Sequence, residues 1–253
     1  GAHVAEVTHD RLFAGTLSIR QPARRTGYRI NVDALLLAAF AAHELSAPSG
    51  DRRPRARHAV DLGAGVGAVG LSLLHLGAAT RVTLVEIDTA LADLAMANAA
   101  DNQWADRIRV LAIDVKHAVA ELRSQADLVV CNPPYVPPGR GRVPATQVRS
   151  AKYGELTAFV EAARRIAGRR ARACFVYPAI EATTLLGTLR AHGLEPKRLR
   201  AVHGRAGDKA RVVLVESVAG KPGGLAIEPP FVETDERGAR SVDLDALLKT
   251  KRS

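Results

Sequence analysis

The sequence predicts an α/β fold organised around a mostly parallel sheet, and three observations carry that expectation. From His58 onward, apolar strand-like runs alternate with helical runs of roughly 10 to 15 residues, the rhythm of βαβ units. Gly63, Gly65 and Gly67 stand between the first of these strands and its helix, where a tight turn lets a ligand approach the backbone. The alternation ends in two strand-like runs with no helix between them, which read as an antiparallel pair.

Taken in order, residues 11–31 show two short alternating stretches around "QPARRTG", the pattern of a hairpin. The stretch "NVDALLLAAFAAHEL" starts with Asn31 or Asp33 as a helix cap and continues with Leu and Ala at helical spacing. Residues 46–57, "SAPSGDRRPRAR", read as a linker. The alternating part follows: "HAVDLG" (strand), "GAVGLSLLHLG" (helix), "RVTLVEID" (strand), "TALADLAMANAADNQ" (helix), then strands "IRVLAID" and "ADLVVCN". Beyond them come the helix "ELTAFVEAARRIAG", the strand "ARACFVYP" and the helix "IEATTLLGTLRAHG". "LEPKRLRAVHG" and "ARVVLVESVAG" form the closing pair, and the residues after them lack the pattern of another unit. This divides the chain into an appendage over 1–50 and a ligand-binding domain over 51–253.

A hydrophobic content of 47% supplies a core, and no apolar run reaches the roughly 18 residues of a membrane helix. Cys131 and Cys174 sit in apolar runs without metal-ligand or CxxC spacing, so a reducing, cytoplasmic setting is expected, with no metal. The chain starts Gly1-Ala2 without Met, as processing or trimming would leave it, and its first residues carry no fold argument. The net charge of +10 and pI of about 10.2 favour an anionic partner, with "DRRPRARH", "RRIAGRRAR" and "KRLRAVHGRAGDKAR" locally dense. A genomic bias towards Arg and Ala accounts for part of this charge equally well.

The glycine loop, "VDLGAGVGAVG" at 60–70, fits the dinucleotide fingerprint at Gly65, Gly67 and Gly70, with Glu86 about 20 residues on to hold ribose hydroxyls. Taken alone it admits a nicotinamide or flavin enzyme. Asp61 at the end of the first strand would repel a pyrophosphate, yet it suits a cationic sulfonium ligand. Asp114, ending "VLAID", can accept a hydrogen bond from an adenine amino group. Each carboxylate can also be an ordinary helix cap.

The combination of "DLGAGVG", "VEID", "AID" and the "NPPY" at 132–135 resembles the class I S-adenosylmethionine-dependent methyltransferases. The resemblance implies a Rossmann-like sheet of seven strands in the order 3-2-1-4-5-7-6, the seventh antiparallel. It also implies that Asp61, Gly63, Ala64, Gly65 and Gly67 face the methionine part of the cofactor, Glu86 the ribose and Asp114 the adenine. Ile87 and Ile113 would flank the adenine ring.

Asn132, Pro133, Pro134 and Tyr135 follow a buried strand, where an open sheet places its ligand crevice. An amide or exocyclic nitrogen is a poor nucleophile because its lone pair is delocalised. Accepting its N–H bonds with the Asn132 side-chain oxygen and the Pro133 carbonyl turns that lone pair towards the methyl donor. The prolines hold the acceptors rigid, and Tyr135 offers a face on which a base can stack. Asn132 thus serves both catalysis and the cofactor pocket.

Within this class the chain is most similar to the bacterial valine-tRNA adenine-N6 methyltransferases. The supporting stretches are "GTLSIRQPARRTGYRINVDALLLAAF", "RSAKYGELTAFVEAA" and "KARVVLVESVAGKPGGLAIEPPFV". That resemblance implies a tRNA substrate, an extruded adenine next to the anticodon, and no membrane. In the long basic segment 136–148, Arg140 and Arg142 are candidates for phosphate contact. Three rivals remain: a release-factor glutamine methyltransferase, an RNA-binding protein that keeps the fold without turnover, and a dehydrogenase. A monomer is the favoured state.

Overall fold

The computed structural model describes residues 6–23, 28–45, 54–134 and 145–252. A hairpin of β1 (Val7–Leu12) and β2 (Leu17–Pro22) leads into α1 (Tyr28–Ala41). Next come β3 (Ala56–Leu62), α2 (Ala68–His75), β4 (Ala79–Val85), α3 (Thr89–Asp101), β5 (Ile108–Leu111), α4 (Val115–Leu122) and β6 (Ala126–Cys131). The chain continues through α5 (Ala145–Ile166), β7 (Ala167–Pro178), α6 (Ala182–Ala191), β8 (Glu195–His203) and β9 (Ala210–Val218). It ends with β10 (Ala226–Ile227), β11 (Phe231–Val232) and α7 (Val242–Leu248).

The main sheet runs β5-β4-β3-β6-β7-β9-β8, parallel except at β9, which is the expected order. It has nine strands among the described residues rather than seven, because β10 and β11 each add a two-residue parallel pairing to β8. Segments this short have no periodicity for a sequence reading to detect.

Three local expectations need correction. The hairpin turns at Phe13–Thr16, not at "QPARRTG", whose first residues lie inside β2. Gly15 takes φ 88 and the Thr16 hydroxyl donates to the Phe13 carbonyl at 2.7 Å, so this turn has its own chemistry without Pro or Asn. Helix α1 starts at Tyr28, so Asn31 and Asp33 lie within it rather than at its cap. Arg211 of β9 claims Asp33 with two hydrogen bonds, at 2.6 and 3.1 Å. Lastly, β3 opens at Ala56, within the stretch read as linker, and α5 starts ten residues before "ELTAFVEAARRIAG".

From Ala34 onward helix α1 is apolar all round, as a helical stretch enclosed by protein must be. Residues Ala34 to Ala41 are each at most 2% exposed. Its C-terminal carbonyls lack helical partners, and arginines from the sheet supply them. Arg198 donates to the Phe40 carbonyl at 2.6 Å, Arg172 to that of Ala41 at 2.9 Å, and Arg200 to that of Leu45. Cations here also complement the negative end of the helix. Glu216 of β9 balances them, 2.7 Å from Arg172, 3.4 Å from Arg198 and 3.6 Å from His43. Burial alone would raise the Glu216 carboxyl, but these three partners outweigh it and hold the group well below its usual range.

The hairpin attaches through two asparagines of α3. Asn102 exchanges both bonds with Ser18, accepting from its N–H at 3.0 Å and donating to its carbonyl at 2.7 Å. Asn98 does the same with Arg20, at 2.7 and 3.0 Å, and also donates to the Val66 carbonyl in the glycine loop at 2.9 Å. A side-chain amide presents the donor and acceptor of a peptide group, so α3 completes the ladder of β2. Asn102→Ala strands both Ser18 groups and is expected to lower stability by about 2 kcal/mol in urea unfolding. An unchanged midpoint would mean that apolar contacts alone hold the hairpin.

Candidate active site

The C-terminal ends of β3, β4, β5 and β6 open into a cleft of about 910 Å3. Parallel strands end together here and their loops diverge, leaving a crevice. The β3–β6 register pairs Leu62 with Cys131, so Gly63 and Asn132 leave the sheet side by side. Asn132, Pro133 and Pro134 line the cleft, with Pro133 buried. Tyr135, Arg140 and Arg142 lie outside the described residues.

Asp61 is 1% exposed, and its Oδ2 accepts from the Gly70 N–H at 3.1 Å. Gly67, the N-cap of α2, has no side chain to cap with, so Asp61 supplies an acceptor from the preceding strand. Burial raises the Asp61 carboxyl to about 7, opposed by the Gly70 hydrogen bond and assisted by the Glu86 charge. Glu86 is also buried, and its two oxygens accept from the N–H groups of Gly65 at 2.7 Å and Asp88 at 2.8 Å. One carboxylate therefore ties the loop after β3 to the loop after β4.

Asp114 is the N-cap of α4, accepting from the Lys116 N–H at 2.9 Å, and it lines the cleft as well. Ile113 lines the same wall, and Ile87 stands 64% exposed at its edge, an apolar side chain turned towards open space. Ala64 and Gly65 form the floor. At Gly65 φ is +57 and an added Cβ would meet nothing within 4 Å, so the backbone is bare on its cleft side. Gly67 differs: it does not line the cleft, its φ is +92, and a Cβ there would lie 2.8 Å from Leu71 and 2.9 Å from Leu84. Its place in the motif is to turn the chain and seat α2 on β4. Gly67→Ala is expected to cost about 2 kcal/mol in thermal or urea unfolding. Equal stability would mean that the turn relaxes at no cost.

The opposite wall holds residues that sequence reasoning passed over. They are Gln21 from the hairpin, Asp33 from α1, Glu155 and Phe159 from α5, and Tyr177 and Pro178 at the end of β7. Tyr177 and Pro178 had a readable signal, since every parallel strand ends on this side. Asp33 was visible but taken for a cap, and Gln21 had no signal. Burial raises the Glu155 carboxyl.

Residues 35–151 match the methyltransferase small domain family. Over that stretch, a little under half of the chain, the sequence is similar to methyltransferase small domains. Relatives named tRNA1(Val) (adenine(37)-N6)-methyltransferase include one from Dickeya chrysanthemi, 33% identical over half of this chain and 51% of that protein. Another, from Enterobacter sp. (strain 638), is 29% identical over 65% of this chain and 64% of its own length. A third, from Porphyromonas gingivalis, is 34% identical over 42% of this chain and 41% of its own. The chain thus spans about half the length of the curated relatives it matches.

Among solved structures, a predicted O-methyltransferase from Agrobacterium tumefaciens superposes with a TM-score of 0.64 at 24% identity, over 85% of this chain and 94% of that one. TYW2 of Pyrococcus horikoshii, solved in complex with MeSAdo, gives 0.55 at 16%, over 85% of this chain and 72% of that one. These two likenesses bear on the fold. Together with the domain match they bear out the Rossmann-like fold expected from the sequence. Among the described residues no helix is long and apolar enough to cross a membrane.

Proposed function

We propose that this protein is an S-adenosylmethionine-dependent N-methyltransferase acting on N6 of a tRNA adenine, the one beside the anticodon of a valine tRNA. The observation that carries the reading is one cleft lined by Asp61, Glu86 and Asp114 together with Asn132 and Pro133. The names of the relatives support the choice of tRNA adenine.

The cleft suits the cofactor on its own evidence. A carboxyl buried at Asp61 forms no ion pair among the described residues, and a cationic ligand would return it to its charged form. The bare backbone at Gly65 leaves room for close approach, Glu86 fits a ribose diol, and Ile87 with Ile113 fits a flat base. When bound, S-adenosylmethionine supplies a methyl group on a positively charged sulfur.

The chain's own groups do the rest. Asn132 and the Pro133 carbonyl accept the two N–H bonds of the target amino group, which localises its lone pair. Two consecutive prolines keep those acceptors in place without rearrangement. Tyr135 stacks on the target base, and Arg140 and Arg142 reach backbone phosphates.

The test is transfer of labelled methyl groups from S-adenosylmethionine into tRNA that lacks adenine-N6 methylation, followed by nucleoside analysis. Label in N6-methyladenosine of valine tRNA is the expected result. Cofactor binding with no label in any RNA would overturn the substrate assignment.

A further inference from the structure

The end of the sheet opposite the cleft has a second site. Where β3, β4 and β5 begin, a pocket of about 200 Å3 is lined by His58, Arg81, Thr83, Arg107, Arg109 and Gln125. The register explains the grouping. His58 pairs with Arg81, and Thr83 with Arg109, so all four project from one face of adjoining strands. His58 is 8% exposed, with its Nε2 2.7 Å from the Thr83 hydroxyl.

Asp106 also lines the pocket, and Arg109 is paired with Glu121 at 2.7 Å. Arg107 spends its guanidinium on the Thr80 carbonyl at 2.8 Å. Arg81 is exposed and forms no ion pair among the described residues. The local field is positive: beyond the effect of burial, Arg81 and Arg109 push the His58 imidazole towards its neutral form, while Asp127 opposes them.

Two strands away, β7 carries a bulge at the same end. Its pairing with β6 passes from Ala126↔Ala167 to Leu128↔Arg172, so residues 168–171 bow out opposite Asp127 alone. The tip is Arg169-Arg170, both exposed, with Arg170 at φ 61 in the left-handed region. A bulge re-aims side chains, and this one leaves two exposed arginines near the end of the sheet. Arg57 at the start of β3 is exposed between the bulge and the pocket. With strands about 4.8 Å apart, the row from Arg109 to Arg169 spans about 20 Å.

We propose that this end of the sheet is a second RNA contact, in which Arg81 and its pocket seat one backbone phosphate and the Arg169-Arg170 bulge engages others. It rests on the tRNA reading above. The target base enters the cleft at one end of strands about 20 Å long. A stem leaving the cleft along the side of the domain brings its backbone to the opposite end within about one helical turn. The cations are arginines, whose planar fork matches phosphate oxygens. None of the large exposed apolar side chains lines this pocket, as insertion into a lipid surface would require.

The experiment compares the wild type with the Arg81→Glu/Arg169→Glu double variant on two RNAs: full-length valine tRNA, and its anticodon stem-loop, which is too short to reach this end. The expected result is a loss of at least about tenfold in tRNA affinity, with the slope of log affinity against log salt lowered by about two. Methylation of the stem-loop stays at the wild-type rate, and Arg81→Lys/Arg169→Lys recovers most of the tRNA binding. Unchanged tRNA affinity overturns the proposal. So does an equal loss on the stem-loop, or saturation of the pocket by inorganic phosphate that leaves tRNA binding intact. If the wild type methylates neither RNA, the enzymatic reading fails, and the tRNA-binding arm still decides this face.

Discussion

Replacing Asn132 by alanine is expected to lower methyl transfer at least about a hundredfold while cofactor binding persists. The residue sits just past β6, beside Gly63, where the sheet opens into the cleft. No hydrogen bond within the described residues occupies its amide, so truncation leaves no buried partner stranded, and the fold should tolerate it. In the proposed reaction the amide oxygen is needed only when an amino group must give up the conjugation of its lone pair. Its loss therefore falls on kcat more than on the dissociation constant of either substrate. Calorimetry with S-adenosylhomocysteine and single-turnover rates with tRNA separate the two. A variant with full activity would remove Asn132 from the chemistry, and one that no longer binds cofactor would move it to the pocket wall.

Asp61→Asn should change two properties in opposite directions. The free side chain ionises near 3.8 and the folded one near 7, so between those values the native protein keeps a proton that the unfolded chain has released. Stability contributed by this group consequently falls as pH rises from about 4 to 7 and is level above. A neutral amide escapes that penalty. The variant is expected to match the wild type below pH 4 and to exceed it by up to about 4 kcal/mol at pH 7 and above. The amide oxygen can still accept from the Gly70 N–H, so α2 keeps its substitute cap. Affinity for the cationic cofactor should fall, because the charge it would neutralise is gone. Unfolding measured at pH 4 and pH 8, with and without ligand, reads both effects. Equal stability at pH 8 would show that Asp61 ionises normally in the fold.

One wall of the cleft was legible because its residues, though far apart in sequence, sit at strand ends. Asp61, Glu86, Asp114 and Asn132 each close an apolar run, and a parallel sheet brings such positions together by construction. The hairpin was legible in kind but not in register. Gln21-Pro22 looks like a turn, yet Pro22 is the last residue of β2, where it interrupts nothing. Asp33 looked like a cap because Arg211, its partner, is 178 residues away. Gln21, Asp33 and Glu155 reach the cleft through contacts of that range, which no local pattern encodes. The bulge in β7 was equally hidden, since "GRRAR" reads as a charged strand start until its pairing with β6 is known.

The way α1 is held has a consequence for synthesis on the ribosome. The helix leaves the exit tunnel well before the strands that fasten it, carrying eight successive apolar residues that end up enclosed. The side chains that receive it, Arg172, Arg198, Arg211 and Glu216, are made only after another ~130 to 175 residues. At 5 to 20 residues per second that interval is on the order of ten seconds or more. The hairpin finds α3, and α1 finds α2, well before that, so it is the polar partners at the end of α1 that arrive last. Through that interval the carbonyls at the end of α1 have only water for partners, and the helix is fastened at that end when the last strands close the sheet.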